Sequence, residues 1–290
     1  MAADCGAAFF SHSLKEPVML TSPQSLEAPL VDTHAHLYTL DMPLNANAWH
    51  KPAHDATMEQ YLSVLDTHGV QFAVLAAASI YGDYNDYHIR ACRRHARLRT
   101  TIIAHPGLNM YTLERMKADG VVGIRLQWRN VQDRPDLSSG PYQRLLKRVA
   151  DLDWHVHVHD DSHRLPQTIQ VLEQAGVKVV IDHFGRPDEQ HGLDAPGFQS
   201  VLRSVDRGNT WVKLSAGFRL PSENFAQACA AELLKSAGPE RLLWGSDWPF
   251  AAFEDRISYA DTIAAFINWV PDEHARRKIA GETALKLYFS

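Results

Sequence analysis

The chain has 290 residues, 45% of them hydrophobic and 22% charged, the balance of a globular protein able to bury a sizeable core. A formal net charge of −5 without a Lys/Arg run or basic stripe excludes nucleic acid as the main partner. No stretch approaches the ~20 apolar residues of a membrane span, and the first thirty residues carry no basic segment followed by a long apolar run, so neither a membrane partner nor a secretory signal is expected. Cys5, Cys92 and Cys229 are odd in number and lack CxxC spacing, which argues against a disulfide framework or a zinc knuckle and for a reducing, cytoplasmic setting.

Residues 1–29, with "FFSHSLKEP" and "TSPQS", read as an N-terminal extension. From Leu30 to the end at 290, short β-branched runs alternate with segments of helical periodicity. The predicted strands are "LVDTHAH" (30–36), "QFAVLAAAS" (71–79), "RTTIIAHP" (99–106), "VVGIRLQ" (121–127), "WHVHVH" (154–159), "KVVIDHF" (178–184), "TWVKLSA" (210–216) and "RLLWGSDW" (241–248). Between them stand amphipathic stretches such as "ATMEQYLSVLDTHG", "PYQRLLKRVADL", "LPQTIQVLEQAG" and "ENFAQACAAELLKSAG", several ending in the Gly that a helix C-terminus favours. Eight strands alternating with helices in one domain predict an α/β fold, a (β/α)8 TIM-type barrel spanning 30–290. A doubly wound sheet is the rival, and no GxGxxG turn follows the first strand to support it.

Polar residues fall at the C-terminal ends of these strands: His34 and His36, Ser79, His105, Arg125, His159, His183, Ser215 and Asp247. In a barrel those ends converge on one mouth. A single strand-end histidine is commonly a hydrogen-bonded structural residue, and His155 and His157, which share a face with His159, are expected to be buried in this way. Five candidates on four strands are harder to explain so. Imidazoles and a carboxylate suit Zn²⁺ or Mn²⁺, which would activate water or polarise a carbonyl. Without a metal, Asp247 serves as general base on water while the imidazoles polarise the carbonyl oxygen.

Arg125, Arg129, Arg186 and Arg219 follow the strands in an otherwise acidic chain. Arginine grips carboxylates through bidentate charge-assisted bonds, so an anionic, carboxylated small molecule is expected, with one or two of the four paired to loop Asp or Glu instead. Ser79 and Tyr81 are expected to add hydroxyl contacts. Trp128, Phe184 and Trp248 are candidate walls, although ordinary packing explains each taken alone. No GxSxG elbow and no Walker loop is present, which speaks against a serine nucleophile and against phosphate chemistry.

The blocks "VDTHAHL", "VVIDHFGRPD", "WVKLSAGFRL" and "RLLWGSDWP" together resemble the amidohydrolase superfamily in its lactonase branch, over nearly the whole chain from Leu30. The resemblance implies a barrel that hydrolyses a lactone, with Asp247 activating water, His34, His36 and His183 polarising the carbonyl, and Arg125, Arg129, Arg186 and Arg219 holding carboxylates. One departure concerns the metal. In the pyrone-dicarboxylate lactonases the fifth strand ends in Tyr and no metal is needed; here the position is His159, so one divalent ion at His34, His36, His159 and Asp247 and a metal-independent site both stay open. The fourth strand ends without the lysine of a carbamylated binuclear centre. A decarboxylase of a carboxylated aromatic, a lactone isomerase and a non-catalytic dicarboxylate binder are the competing functions. A homo-oligomer is compatible with the sequence.

Overall fold

The computed structural model describes residues 28–129 and 131–290. The expected N-terminal extension, residues 1–29, lies outside them except for Ala28 and Pro29. Eight parallel strands follow one another in chain order around a single sheet: β1 Val31–Ala35, β2 Phe72–Leu75, β3 Leu98–Ile102, β4 Val121–Gln127, β5 His155–His159, β6 Lys178–Ile181, β7 Thr210–Ser215 and β8 Leu242–Gly245. β1 and β8 are joined by His36 N to Trp248 O at 2.8 Å and Asp247 N to His34 O at 2.8 Å. The result is the expected single-domain (β/α)8 barrel, nearly closed.

Helices flank the strands, and the sequence shows why they start where they do. α1 (Met58–Thr67) opens on a reciprocal box between Thr57 and Gln60, and Asn109 caps α3 (Met110–Ala118). Proline occupies the first turn of α4 (Gly140–Asp151), α5 (Leu165–Gln174) and α6 (Pro196–Asp206), where its missing N–H costs nothing. Ser222 caps α7 (Glu223–Ala237), which stops at Gly238, and a second box between Ser258 and Asp261 opens α8 (Tyr259–Trp269). α2 (Asp86–Arg94) completes the set that matches the eight strands.

The strands are buried on both faces, as parallel strands covered by helices must be. Val31, Val74, Val180 and Leu243 form one apolar cluster with Ala284, Leu287 and Tyr288 of the C-terminal helical segment. The register between β1 and β2 shifts between Asp32 and Ala35. Asp32 therefore meets the tyrosines of two flanking helices, Tyr61 and Tyr259, while His34 points toward β6 and β7. Gly245 permits the close approach of β8 to β1: a Cβ there would stand 2.6 Å from that of His34.

Most predicted strands ran too far at their C-terminal ends. At the mouth the chain leaves strand geometry abruptly, because His183, Phe184, Arg186, Ala216, Asp247, Phe250 and Ala252 all take positive φ without being glycine. Such conformations cost roughly 1–3 kcal/mol each and cluster at functional sites.

Candidate active site

The strand ends deliver their side chains around one carboxylate. Asp247 Oδ1 faces three imidazole nitrogens: His36 Nε2 at 3.5 Å, His34 Nε2 at 3.6 Å and His183 Nε2 at 3.8 Å. Its other oxygen, Oδ2, accepts from Arg219 Nε at 2.7 Å. Burial alone would raise the Asp247 pKa, but the Arg219 guanidinium outweighs it and holds the carboxyl well below its usual range. Burial pushes His34, His159 and His183 well below 6.5, so these rings are neutral at physiological pH. His183 Nδ1 is 2.8 Å from Ser215 Oγ, and His36 Nδ1 is 2.7 Å from the Ala76 carbonyl oxygen.

A ring of buried charge supports these groups. Arg125 donates through Nε to Asp182 Oδ2 at 3.0 Å and through Nη1 to the Ala77 carbonyl at 2.7 Å. Lys213, wholly buried in β7, has its Nζ 3.0 Å from His34 Nδ1, 3.1 Å from His157 Nδ1 and 3.2 Å from Asp182 Oδ1. Burial would raise Asp182 too, yet Lys213 and Arg125 keep it well below the usual carboxylate range. Burial also lowers Lys213 from its ordinary value, against the pull of Asp182.

Above this lies a cavity of about 410 Å³. His36, Arg125, His159, His183 and Asp247 line it together with Ser79, Arg129, Arg186 and Arg219, and Tyr38, Trp49, Ile80 and Phe253 add apolar wall. Arg129, Arg186 and Arg219 also line an adjoining cavity of about 440 Å³ with His163 and Asp188.

A family model described as amidohydrolase matches residues 31–289. The chain belongs to the amidohydrolase family. Within that family it is 26% identical over 267 residues to a 4-sulfomuconolactone hydrolase of Hydrogenophaga intermedia, covering 89% of this chain and 88% of the relative. It is 26% identical over 289 residues to a 2-pyrone-4,6-dicarboxylate hydrolase of Comamonas testosteroni, covering 93% of each. The solved structure of a probable 2-pyrone-4,6-dicarboxylic acid hydrolase of Acinetobacter baumannii, with citric acid bound, superposes with a TM-score of 0.86 at 31% identity, over 90% of this chain and 99% of that one.

In this amidohydrolase the residues expected at the mouth separate into groups. His34, His183 and Asp247 hold donor atoms within 4.8 Å of one another, a set of the kind that binds a cation, and His36 touches the same carboxylate. His159, expected as a fourth ligand, stands outside that set. Its ring packs 4.8 Å from that of His183, its Nδ1 is 3.5 Å from Arg125 Nη2, and its Nε2 is buried without a hydrogen-bond partner among the described residues. Arg125 and Arg219, two of the four expected carboxylate binders, are paired to Asp182 and Asp247. Among the described residues, the buried Nε of Arg129 has no hydrogen-bond partner, and Arg186, which donates to the Arg219 carbonyl, keeps most of its donors free of protein acceptors.

Ser79 lines the cavity and accepts from Trp49 Nε1 at 3.2 Å. Tyr81 does not: the turn Ser79–Tyr81 carries it into an apolar cluster with Tyr38 and Met42. The expected walls Trp128, Phe184 and Trp248 are likewise committed to packing, Phe184 on Trp269 and Trp248 on Tyr61, and Trp49 and Phe253 take their place. His155 and His157 are buried as expected. Cys92 and Cys229 are buried thiols pushed up to about 12, unsuited to nucleophilic work. Sequence reasoning missed Asp182 and Lys213. A signal for the lysine existed: in "TWVKLS" it shares a strand face with Ser215, itself at the mouth.

Proposed function

We propose that this chain is a lactone hydrolase that opens a carboxylate-bearing cyclic ester by attack of water. The observation that carries the proposal is Asp247, ionised and pinned through Oδ2 by Arg219, with Oδ1 turned toward three imidazoles. Charge supports an anionic substrate. Around the buried carboxylates Asp182 and Asp247 stand Arg125, Lys213 and Arg219, one cation more than there are anions, and Arg129 and Arg186 add to the excess. The names of the relatives point to the same chemistry, and citric acid bound to the Acinetobacter protein agrees with a pocket for several carboxylates.

In the mechanism, Asp247 Oδ1 takes a proton from water as the water oxygen attacks the lactone carbonyl. Collapse of the tetrahedral intermediate breaks the ring C–O bond, and the proton on Asp247 passes to the departing oxygen, giving one hydroxy acid from one lactone and one water. A carboxylate held at so low a pKa is a weak base. Polarisation of the carbonyl by His34 and His183 therefore has to supply much of the rate, as preorganised donors do in a dry site. Arg129 and Arg186 hold the carboxylates.

The expected metal set of His34, His36, His159 and Asp247 is not assembled as one site, because His159 stands outside the cluster of His34, His183 and Asp247; the cations Lys213, Arg125 and Arg219 stand on the atoms of His34, His159 and Asp247 that face away from it, Nδ1, Nδ1 and Oδ2. The cytoplasmic setting suits the two buried free thiols, and no described helix is long and apolar enough to cross a membrane.

A hydrolysis screen over carboxylated lactones, pyrone dicarboxylate and muconolactones among them, tests the proposal. Ring opening with net release of acid, retained after chelation in protein free of zinc and manganese by elemental analysis, is the expected result. Release of CO₂ without ring opening, a product that stays cyclic, or binding without turnover would replace the hydrolase by a decarboxylase, an isomerase or a binder.

A further inference from the structure

The two histidines of the first strand sit in opposite hydrogen-bonding surroundings. His36 Nδ1 lies 2.7 Å from the carbonyl oxygen of Ala76. A carbonyl only accepts, so Nδ1 donates, and in the neutral ring Nε2 holds a lone pair. His34 Nδ1 instead lies 3.0 Å from Lys213 Nζ. An ammonium only donates, so this Nδ1 accepts and the ring proton belongs on Nε2.

The surroundings of Lys213 fit an ammonium. Its Nζ is within 3.1 Å of His157 Nδ1 and 3.2 Å of Asp182 Oδ1, so a second imidazole nitrogen accepts from it and a carboxylate stands beside it as an ion pair. Asp182 Oδ1 also lies 3.3 Å from His34 Nδ1, but out of hydrogen-bonding alignment: that oxygen has no hydrogen-bond partner among the described residues. Neutralising Asp182 does not by itself require the lysine, since Arg125 already pairs with its other oxygen at 3.0 Å. On the mouth side, His34 Nε2 is buried with no hydrogen-bond partner among the described residues, 3.6 Å from Asp247 Oδ1.

We infer that Lys213 is a positioning residue that fixes His34 with its proton on Nε2, so that His34 offers an N–H to the substrate oxygen and withholds a lone pair from a metal ion. The HxH pair is thereby divided: His34 donates and His36 accepts. A ligand pair for a divalent ion needs a lone pair from both rings. For the identity of the oxygen that His34 meets, this rests on the lactone-hydrolase reading; the position of the proton does not depend on any substrate.

The test is a long-range proton–nitrogen NMR spectrum of the full chain labelled with ¹⁵N-histidine, with the His34 and His36 signals assigned by their loss in His34→Gln and His36→Gln. The expected result is a protonated Nε2 and a bare Nδ1 for His34, and the reverse for His36. In Lys213→Met the His34 proton is expected to move to Nδ1, facing Asp182, and zinc affinity, read by competition with a chromophoric chelator, to rise about tenfold or more. On a lactone that the protein opens, kcat is expected to fall about 10²- to 10³-fold, with KM changing far less. A wild-type His34 with its proton on Nδ1, or one whose tautomer is the same in Lys213→Met, overturns the assignment. If Lys213→Met does not fold, the wild-type spectrum decides alone. A wild-type protein with the expected tautomers that opens no lactone upholds the role of Lys213 and removes the hydrolase.

Discussion

Asp32 and Asp247 are both carboxylates buried where β1 meets β8, and they are put to opposite uses. Asp32 accepts from the backbone N–H groups of His34 and Ser246 at 3.0 and 2.9 Å, from Ser246 Oγ at 2.5 Å, and from the hydroxyls of Tyr61 and Tyr259 at 2.8 and 3.0 Å. Every one of these partners is neutral. Burial raises its pKa, and the hydrogen bonds from Ser246 and His34 only oppose that rise. Asp247 has one charged partner, Arg219, and is held low. Saturation with donors makes Asp32 a joint between β1, β8 and two helices. A single ion pair leaves Asp247 an oxygen to work with. Burial alone does not separate a structural carboxylate from a reactive one; the number and charge of its donors do.

Exchanging the two roles should produce the largest effects. Asp247→Asn is expected to lower kcat on an opened lactone by about 10³-fold, within the range for loss of a general base, while urea unfolding changes little. Asp32→Ala is expected to do the reverse: two tyrosines, a serine and two backbone amides lose their acceptor, at a cost of about 3 kcal/mol or more in unfolding free energy, and kcat of the folded fraction changes far less than in Asp247→Asn. If Asp32→Ala leaves stability intact, the joint is not where the geometry puts it.

Acid separates the same two groups. Burial depresses His34, His157, His159 and His183 well below 6.5, His88 to about 3 and His155 to about 4. Between those values and 6.5 the unfolded chain binds protons that the folded chain refuses, so stability falls as pH falls from about 6.5 toward 4, by up to about 1.4 kcal/mol per pH unit for each such group. Asp32, whose folded value is raised, offsets part of this loss as pH falls toward 3.8, and below 3.8 Asp182 and Asp247, whose folded pKa values are depressed, add to it. Urea midpoints at pH 7, 6 and 5 check the first part, and an unchanged midpoint would contradict it.

The arginines sharpen the contrast between committed and uncommitted charge. Arg129→Met is expected to raise KM about 10- to 100-fold with kcat nearly unchanged, as when a charged hydrogen bond contributes equally to ground and transition states. Arg125→Met is expected to act mainly on stability, because it strips Asp182 of one of its two cations. Ser79→Ala should be the mildest, with KM up about 2- to 10-fold for one neutral hydrogen bond.

Much of this was legible in one dimension. The barrel follows from the alternation of β-branched runs and amphipathic segments, and His34, His36, His183 and Asp247, which the fold brings together, stand out because polar residues at strand ends are conspicuous after apolar runs. Which of four arginines stays free of a carboxylate partner was not legible. It depends on Asp182, 57 residues from Arg125, and on Asp247, 28 residues from Arg219. The lysine behind His34 is 179 residues away, and only the closure of eight strands puts them in contact. Tyr81 was misplaced because a short turn after β2, not strand alternation, sets its direction.

The non-glycine residues in left-handed conformations around the mouth also bear on how such a protein drifts over generations. A change to glycine at Ala216 or Ala252 would relax backbone strain and be welcome to a chain selected only for durability. Keeping side chains there trades resistance to heat for a rim that stays where the chemistry needs it, the usual tension between robustness and activity. Lineages freed from the reaction should lose that strain first.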